Sequence, residues 1–388
     1  MSDSEKLQIL LKNLGIEAVQ SYVFHSEETI FQGDSLISLD LSRLELSEIP
    51  EDSLSEFIHL QSINLKLNKL ETISPSLFSD LPQLQRVVLD HNYLSQLDHQ
   101  LFRNNPLLTE LSLRSNEIEK LFPTLFINNP KLTYLDLTNN RIPSLEPSMF
   151  VSTPELRWLN LSRNHLREIP AALLDPLSEL RVFDIQINQL QHISGSQFNL
   201  NPKLTVLFLH HNQLEYLPPQ LFHGLGDLLA LYLSYNSLDE LEENQFRGLF
   251  KLREIDLEYN GIAKLPPHLF DDLVMLERLF LAGNEFTELA GDQFTSLRNL
   301  RWLRLKHNFF SSFPDQIFAQ NPDLQELALN HNQLIDLPQS LVHLNKLRRL
   351  TLDRNQLPDH WNEYFGNRAE VSHFQKILEA DQSSGGKS

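Results

Sequence analysis

LTYLDLTNNRI, the stretch from Leu132 to Ile142, carries apolar residues at its first, fourth, sixth and last positions and an asparagine at its ninth. The pattern L-x-x-L-x-L-x-x-N-x-L recurs along the chain. Its asparagine falls at Asn68, Asn92, Asn116, Asn140, Asn164, Asn188, Asn212, Asn236, Asn260, Asn284, Asn308 and Asn332, each 24 residues after the one before. So strict a period marks a solenoid, in which a repeat buries its leucines only by stacking on its neighbours. LRRLTLDRNQL, Leu347 to Leu357, adds a coil at Asn355, and the degenerate LISLDLSRLEL, Leu36 to Leu46, has Leu44 in the asparagine's place. The twelve coils and these two make fourteen over 36–357.

The spacing predicts how a coil is built. An asparagine carboxamide at the turn out of each strand carries donors and an acceptor for backbone groups of neighbouring coils, and a first coil, with one neighbour, can do without it. Ten residues further on stands a second column: Phe78, Phe102, Phe126, Phe150, Leu174, Phe198, Phe222, Phe246, Phe270, Phe294, Phe318 and Val342. At this fixed spacing the column reads as core filler under the outer wall. Prolines at Pro82, Pro106, Pro130, Pro154, Pro202 and Pro322 interrupt any long helix there. Strands about 4.8 Å apart then make one parallel sheet roughly 65 Å along its arc.

A solenoid exposes apolar cross-sections and unpaired strands at its ends, which need covers. Residues 1–35 offer a helix with Leu7, Leu10, Leu11 and Leu14 on one face, then extended pieces at Tyr22–Phe24 and Ile30–Phe31. At the other end, 358–380 holds Trp361, Tyr364 and Phe365, then Val371, Phe374, Ile377 and Leu378 at helical spacing. The tail 381–388 is polar and expected to be disordered.

Composition narrows the function. Lys and Arg number 32 against 51 Asp and Glu, a formal charge of −19 that repels phosphate backbones and anionic membranes, so nucleic acid is not expected as partner. The absence of cysteine excludes disulfides, zinc-thiolate sites and thiol nucleophiles. No run of eighteen apolar residues occurs, and the acidic start broken by Lys12 lacks the form of a secretory signal, so a cytoplasmic protein, or one delivered into a host cell by another route, is expected. Gly224 and Gly226 form only a fragment of a dinucleotide fingerprint, and Gly386-Lys387-Ser388 imitates a phosphate loop without its first glycine.

The pattern with its following Leu-Phe pair resembles the typical leucine-rich-repeat class over 36–357. That resemblance implies an α/β solenoid, a horseshoe with a parallel concave sheet, a mostly irregular convex side and caps that are helical here. Toll-like receptors and small proteoglycans of this class carry cysteine-clustered caps, which this sequence lacks. Its cysteine-free solenoid and polar tail are similar instead to leucine-rich-repeat effectors that intracellular bacterial pathogens deliver into host cells. Both resemblances imply the same activity, recognition of another protein on the concave sheet, with a surface module for a glycan or receptor as the alternative.

The candidate site follows from the repeat. Residues six, four, two and one before the asparagine point outward, and there acids and bases are equal in number. The same positions hold Tyr134, Trp158, Val182, Phe208, Tyr232, Tyr235, Tyr259, Phe280 and Trp302, with Arg163 and Arg304 beside them. Aromatic and arginine side chains have the composition of binding hot spots; the bland reading is that they pack on one another across strands. His91, His210, His211, His307 and His331 share this face, but imidazoles without a nearby carboxylate are an incomplete zinc set, so they read as polar surface. No Ser-His-Asp arrangement stands out from the repeating surface. The expectation is a binding scaffold with no catalytic residue, cofactor or metal, monomeric by default.

Overall fold

The computed structural model describes residues 1–16 and 20–358, with Val342 described in its backbone only. Of the segment 358–380 expected to cap the last coil, all but Pro358 lies outside these residues, as does the tail 381–388. Contacts divide the chain into two units, Met1–Leu190 and Gln191–Ser388.

The first unit opens with α1 (Asp3–Asn13). Ser2 caps it, its Oγ accepting from the Glu5 N–H while Glu5 accepts from the Ser2 N–H, and Asp3 and Glu5 at the start and Lys12 at the end suit the helix dipole. Leu7, Leu10 and Leu11 are buried as expected, while Leu14 is the half-buried C-cap. Asp3 accepts from the Leu36 N–H at 2.8 Å and ties the helix to the first coil. Tyr22–Phe24, expected as extended, lies instead within a helix, α2 (Gln20–His25). One helical turn buries Val23 fully, leaves Tyr22 exposed and lays Phe24 on Phe31 at 6.1 Å; period-two alternation would have paired Tyr22 with Phe24 on one face. Then β1 (Ile30–Gln32) pairs antiparallel with β2 (Ser35–Asp40) and covers the first edge.

Six further strands of this unit run parallel in chain order: β3 (Ser62–Asn64), β4 (Arg86–Val88), β5 (Glu110–Ser112), β6 (Tyr134–Asp136), β7 (Trp158–Asn160) and β8 (Val182–Asp184). The second unit continues the design with β9 (Val206–Phe208), β10 (Ala230–Tyr232), β11 (Glu254–Asp256), β12 (Arg278–Phe280), β13 (Trp302–Arg304), β14 (Glu326–Ala328) and β15 (Arg349–Thr351). Within each unit the partners are 24 residues apart, as at Tyr134↔Trp158, and 23 at the last pair, Glu326↔Arg349. The strands are three residues long because only their middle residue, such as Leu135 or Leu231, must face the core, and both of these are fully buried.

The asparagines perform the bonding that their spacing requires. Asn140 Nδ2 donates to Leu137 O and to Leu113 O, both at 3.0 Å, and its Oδ1 accepts from the Ile118 N–H at 3.0 Å. In the degenerate first coil the Leu44 N–H donates to Asn68 Oδ1 at 3.0 Å, so that coil borrows from its neighbour. The phenylalanines stack coil on coil behind the sheet: Phe78 on Phe102 at 6.0 Å, Phe126 on Phe150 at 6.4 Å and Phe270 on Phe294 at 6.5 Å, all buried. The outer wall is turns, with one short 3-10 helix at Gln339–His343 among the described residues.

The sequence reading misses a second ladder. Asn105, Asn129 and Asn321, each just before one of the prolines, are fully buried, and each Nδ2 donates to two carbonyls of the preceding coil, as Asn105 does to Phe78 O at 2.9 Å and Leu81 O at 3.0 Å. The recurring Asn-Pro dipeptide was the available signal.

Candidate functional site: the open face of the sheet

The backbone decides how this face is dressed. The residue before each ladder asparagine takes a left-handed conformation, Arg163 at φ 55°, Ile187 at 54°, His211 at 54° and Tyr235 at 54°. For a β-branched residue such as Ile187 this is strained. It is held by the next coil: the Arg163 N–H donates to Gln186 O at 3.0 Å and the Tyr235 N–H to Glu258 O at 2.9 Å. The side chain there rises at the border of the sheet. Where the residue four before the asparagine is Asp or Asn, it folds back on its own turn, as when Asp136 accepts from the Thr138 N–H at 2.8 Å, Asn160 from Ser162 and Asp184 from Gln186. These polar groups are spent locally. Burial raises the Asp184 carboxyl above its ordinary range.

In the first unit Tyr134 stacks on Trp158 at 5.9 Å, and Trp158 stays 38% exposed. Burial, then Asp136, pushes the Tyr134 hydroxyl up to about 12, so it is a neutral donor at any physiological pH. Val182 follows Trp158 in register, half-buried, and Arg163 is exposed at the border.

In the second unit Phe208 and Tyr232 lie face to face at 4.8 Å, and the His210 ring meets both edge-on. At the border His211, Tyr235 and Tyr259 stack in series at 4.2 and 4.6 Å. That series ends on Gly283, where a Cβ would fall 2.5 Å from Cδ1 of Tyr259, so no other residue lets that ring lie flat. Tyr235 is 44% exposed. Arg304 lies over Phe280 at 4.3 Å and reaches Glu258 at 3.6 Å, and Arg278 lies over Trp302 at 4.6 Å and bonds Glu254 at 2.8 Å.

The aromatic residues thus form separate groups whose faces largely cover one another, and what they offer a partner is edges, hydroxyls and the free parts of Trp158 and Tyr235. Half-buried Phe208, Tyr232, Tyr259, Phe280 and Trp302 are less available than their positions in the repeat suggest. His307 stacks on His331 at 3.9 Å, and among the described residues no group of three or more His, Cys, Asp or Glu is placed to hold a metal.

His210 gives this face a pH dependence. Its Nδ1 is buried without a hydrogen-bond partner among the described residues, and burial, then His211, pushes its pKa down to about 4. The unfolded chain, with an ordinary histidine near 6.5, takes the proton first, so stability falls as pH drops from about 6.5 toward 4, by roughly 1–2 kcal/mol at pH 5 after allowing for partial solvation. His210→Phe should remove that share of the loss in urea melts at pH 7 and pH 5. Half-buried Asp256 and Glu258, whose pKa values are raised by desolvation, act in the opposite sense at lower pH but are common to both proteins. Equal losses in the two would sink the assignment.

The family model for leucine rich repeats matches overlapping segments that run from 34 to 357. No curated protein matches. A leucine-rich-repeat protein of Leptospira interrogans is 30% identical, with 82% of this chain and 78% of that one covered and a TM-score of 0.76. Drosophila Toll, in its complex with Spatzle, is similar in fold at 24% identity and TM-score 0.72, over 81% of this chain and 43% of that one. The ectodomain of a membrane receptor kinase of Arabidopsis thaliana, solved with Casparian strip integrity factor 2, is 28% identical at TM-score 0.61, over 80% of this chain and 40% of that one.

Proposed function

Because the chain belongs to the leucine-rich-repeat family, we propose that it is a non-catalytic scaffold that recognises another protein on the open face of its sheet. Solenoids of this kind are typical binding scaffolds, and protein recognition is their usual work. The observation that carries the reading is the exposure of Trp158 and Tyr235 on a sheet whose opposite face is saturated with buried leucines. Large exposed rings beside arginine are what hot spots are made of. In the first unit Tyr134 and Val182 flank Trp158 in register.

In its finer form the reading makes the chain an effector that a bacterium delivers into host cells, acting by occupancy of a host protein. Its cysteine-free composition, compatible with a reducing cytosol, and its likeness to the Leptospira protein support this. The second reading, a surface module for a glycan or receptor, draws on the Toll and plant-receptor likenesses. Affinity capture from host-cell cytosol with the intact chain, and with Trp158→Ala and Tyr235→Ala together, tests both. A protein retained by the first and lost by the second is expected. A ligand eluted by free saccharide favours the module, and identical capture by the two baits removes the open face as the site.

A further inference from the structure

The open face of β13 to β15 departs from the charge of the chain. Its outward positions hold Arg304, Lys306, Arg349 and Arg354 against Glu326 and Asp353, in a protein of formal charge −19. In its middle the sheet has a hollow. The register sets Arg304 beside Ala328 and Ala328 beside Thr351, so two small side chains follow a large one, and a depression of about 400 Å³ opens over Ala328. Trp302, Arg304 and Lys306 form one wall, and Arg349 stands on the strand across it.

The cations of this hollow are not equally engaged. Arg304 is committed to Phe280 and Glu258. Among the described residues Lys306 and Arg349 have no ion-pair partner, although Glu326 lies directly across from Arg349 in register. Asn330, also on the wall, spends its Oδ1 on the Thr351 hydroxyl at 2.7 Å, which leaves its amide N–H groups to donate elsewhere. Two cations without ion-pair partners and an amide therefore line one hollow: Lys306 and Arg349 belong to coils two strands, about 9.6 Å, apart and are four residues out of register, so that Ala328 lies between them on the middle strand.

We propose that this hollow is a subsite for an acidic side chain of the protein bound on the open face, an Asp or Glu carboxylate seated over Ala328 between Lys306 and Arg349. The proposal rests on the protein-binding reading above. The carboxylate accepts from both cations and from the Asn330 amide, charge-assisted bonds about twice as strong as neutral ones, while its methylenes lie against Trp302. Glu326 and Asp353, which line the same hollow, oppose it and keep the site from holding anions indiscriminately.

The test uses the full chain and a fluorescent hexaglutamate peptide capped at both ends, read by anisotropy at low ionic strength, with capped hexaglutamine and hexalysine as controls. Hexaglutamate should bind and hexaglutamine should not. Lys306→Gln and Arg349→Gln should each weaken binding about tenfold, and so should Ala328→Leu, which fills the floor and leaves every charge in place. Glu326→Gln should tighten it about threefold. Melting temperatures separate lost binding from lost fold, and Lys306→Gln, on the surface, keeps the test open if Ala328→Leu unfolds. The proposal is overturned if a folded Ala328→Leu protein binds like wild type, if hexalysine is preferred, or if phosphate displaces the peptide better than chloride of equal ionic strength. Hexaglutamate binding with no captured protein would uphold the hollow's chemistry and remove the wider reading. Capture without peptide binding removes the subsite alone.

Discussion

Asn188→Ala should lower the stability of the chain by about 3 kcal/mol, while Gln186→Ala, two residues earlier, should cost less than about 0.5 kcal/mol. The contrast is large because the two amides do different work. Asn188 is buried; its Nδ2 donates to Leu161 O at 3.0 Å and Ile185 O at 3.1 Å, and its Oδ1 accepts from the Leu166 N–H at 3.0 Å. Alanine leaves the Leu166 N–H dry and unpaired in the interior, which by itself costs about 1–3 kcal/mol, and it takes one donor each from Ile185 O and from Leu161 O, which keeps Asn164 Nδ2 at 3.0 Å. Gln186 is half-buried on the open face and its amide bonds Asp184 at 3.0 Å, a partner that water can replace. Urea denaturation of both variants checks this. Equal midpoints would mean that the ladder does not hold the coils together.

The ladder was legible because its cause is periodic. A residue type that recurs every 24 positions reports a backbone need that recurs with it, and the same logic exposed the phenylalanine column. The left-handed residue before each asparagine was not legible, since Leu67, His91, Arg163, Ile187 and Tyr235 share no chemistry and the conformation is imposed by the coil above. Nor was α2 legible: Tyr22–Phe24 is too short for its period to be read, and its contact with Phe31 decided the matter. On the open face the sequence placed the aromatic side chains at the right repeat positions but could not say which faces were already covered. That depends on pairs such as Phe208 with Tyr232, and on Gly283, whose missing Cβ admits the Tyr259 ring.

This distinction between covered and uncovered rings carries the prediction with the largest effect on binding. Trp158→Ala should weaken the captured partner by about 2 kcal/mol, roughly thirtyfold, with a stability loss below about 1 kcal/mol, because Trp158 packs on Tyr134 but keeps 38% of its surface open. Tyr232→Ala should behave differently. Its ring lies 4.8 Å from Phe208 with an interplanar angle of 6°, and its hydroxyl is pushed up to about 12 by burial, so its removal uncovers a phenylalanine and strips the packing from His210. A stability loss of about 1–2 kcal/mol is expected, with binding affected only as far as the neighbouring surface shifts. Isothermal titration with the captured protein, paired with urea melts of each variant, gives both quantities. If Trp158→Ala loses stability as Tyr232→Ala does and keeps its affinity, both tryptophan and tyrosine are sheet packing, and the partner must be sought on the outer turns.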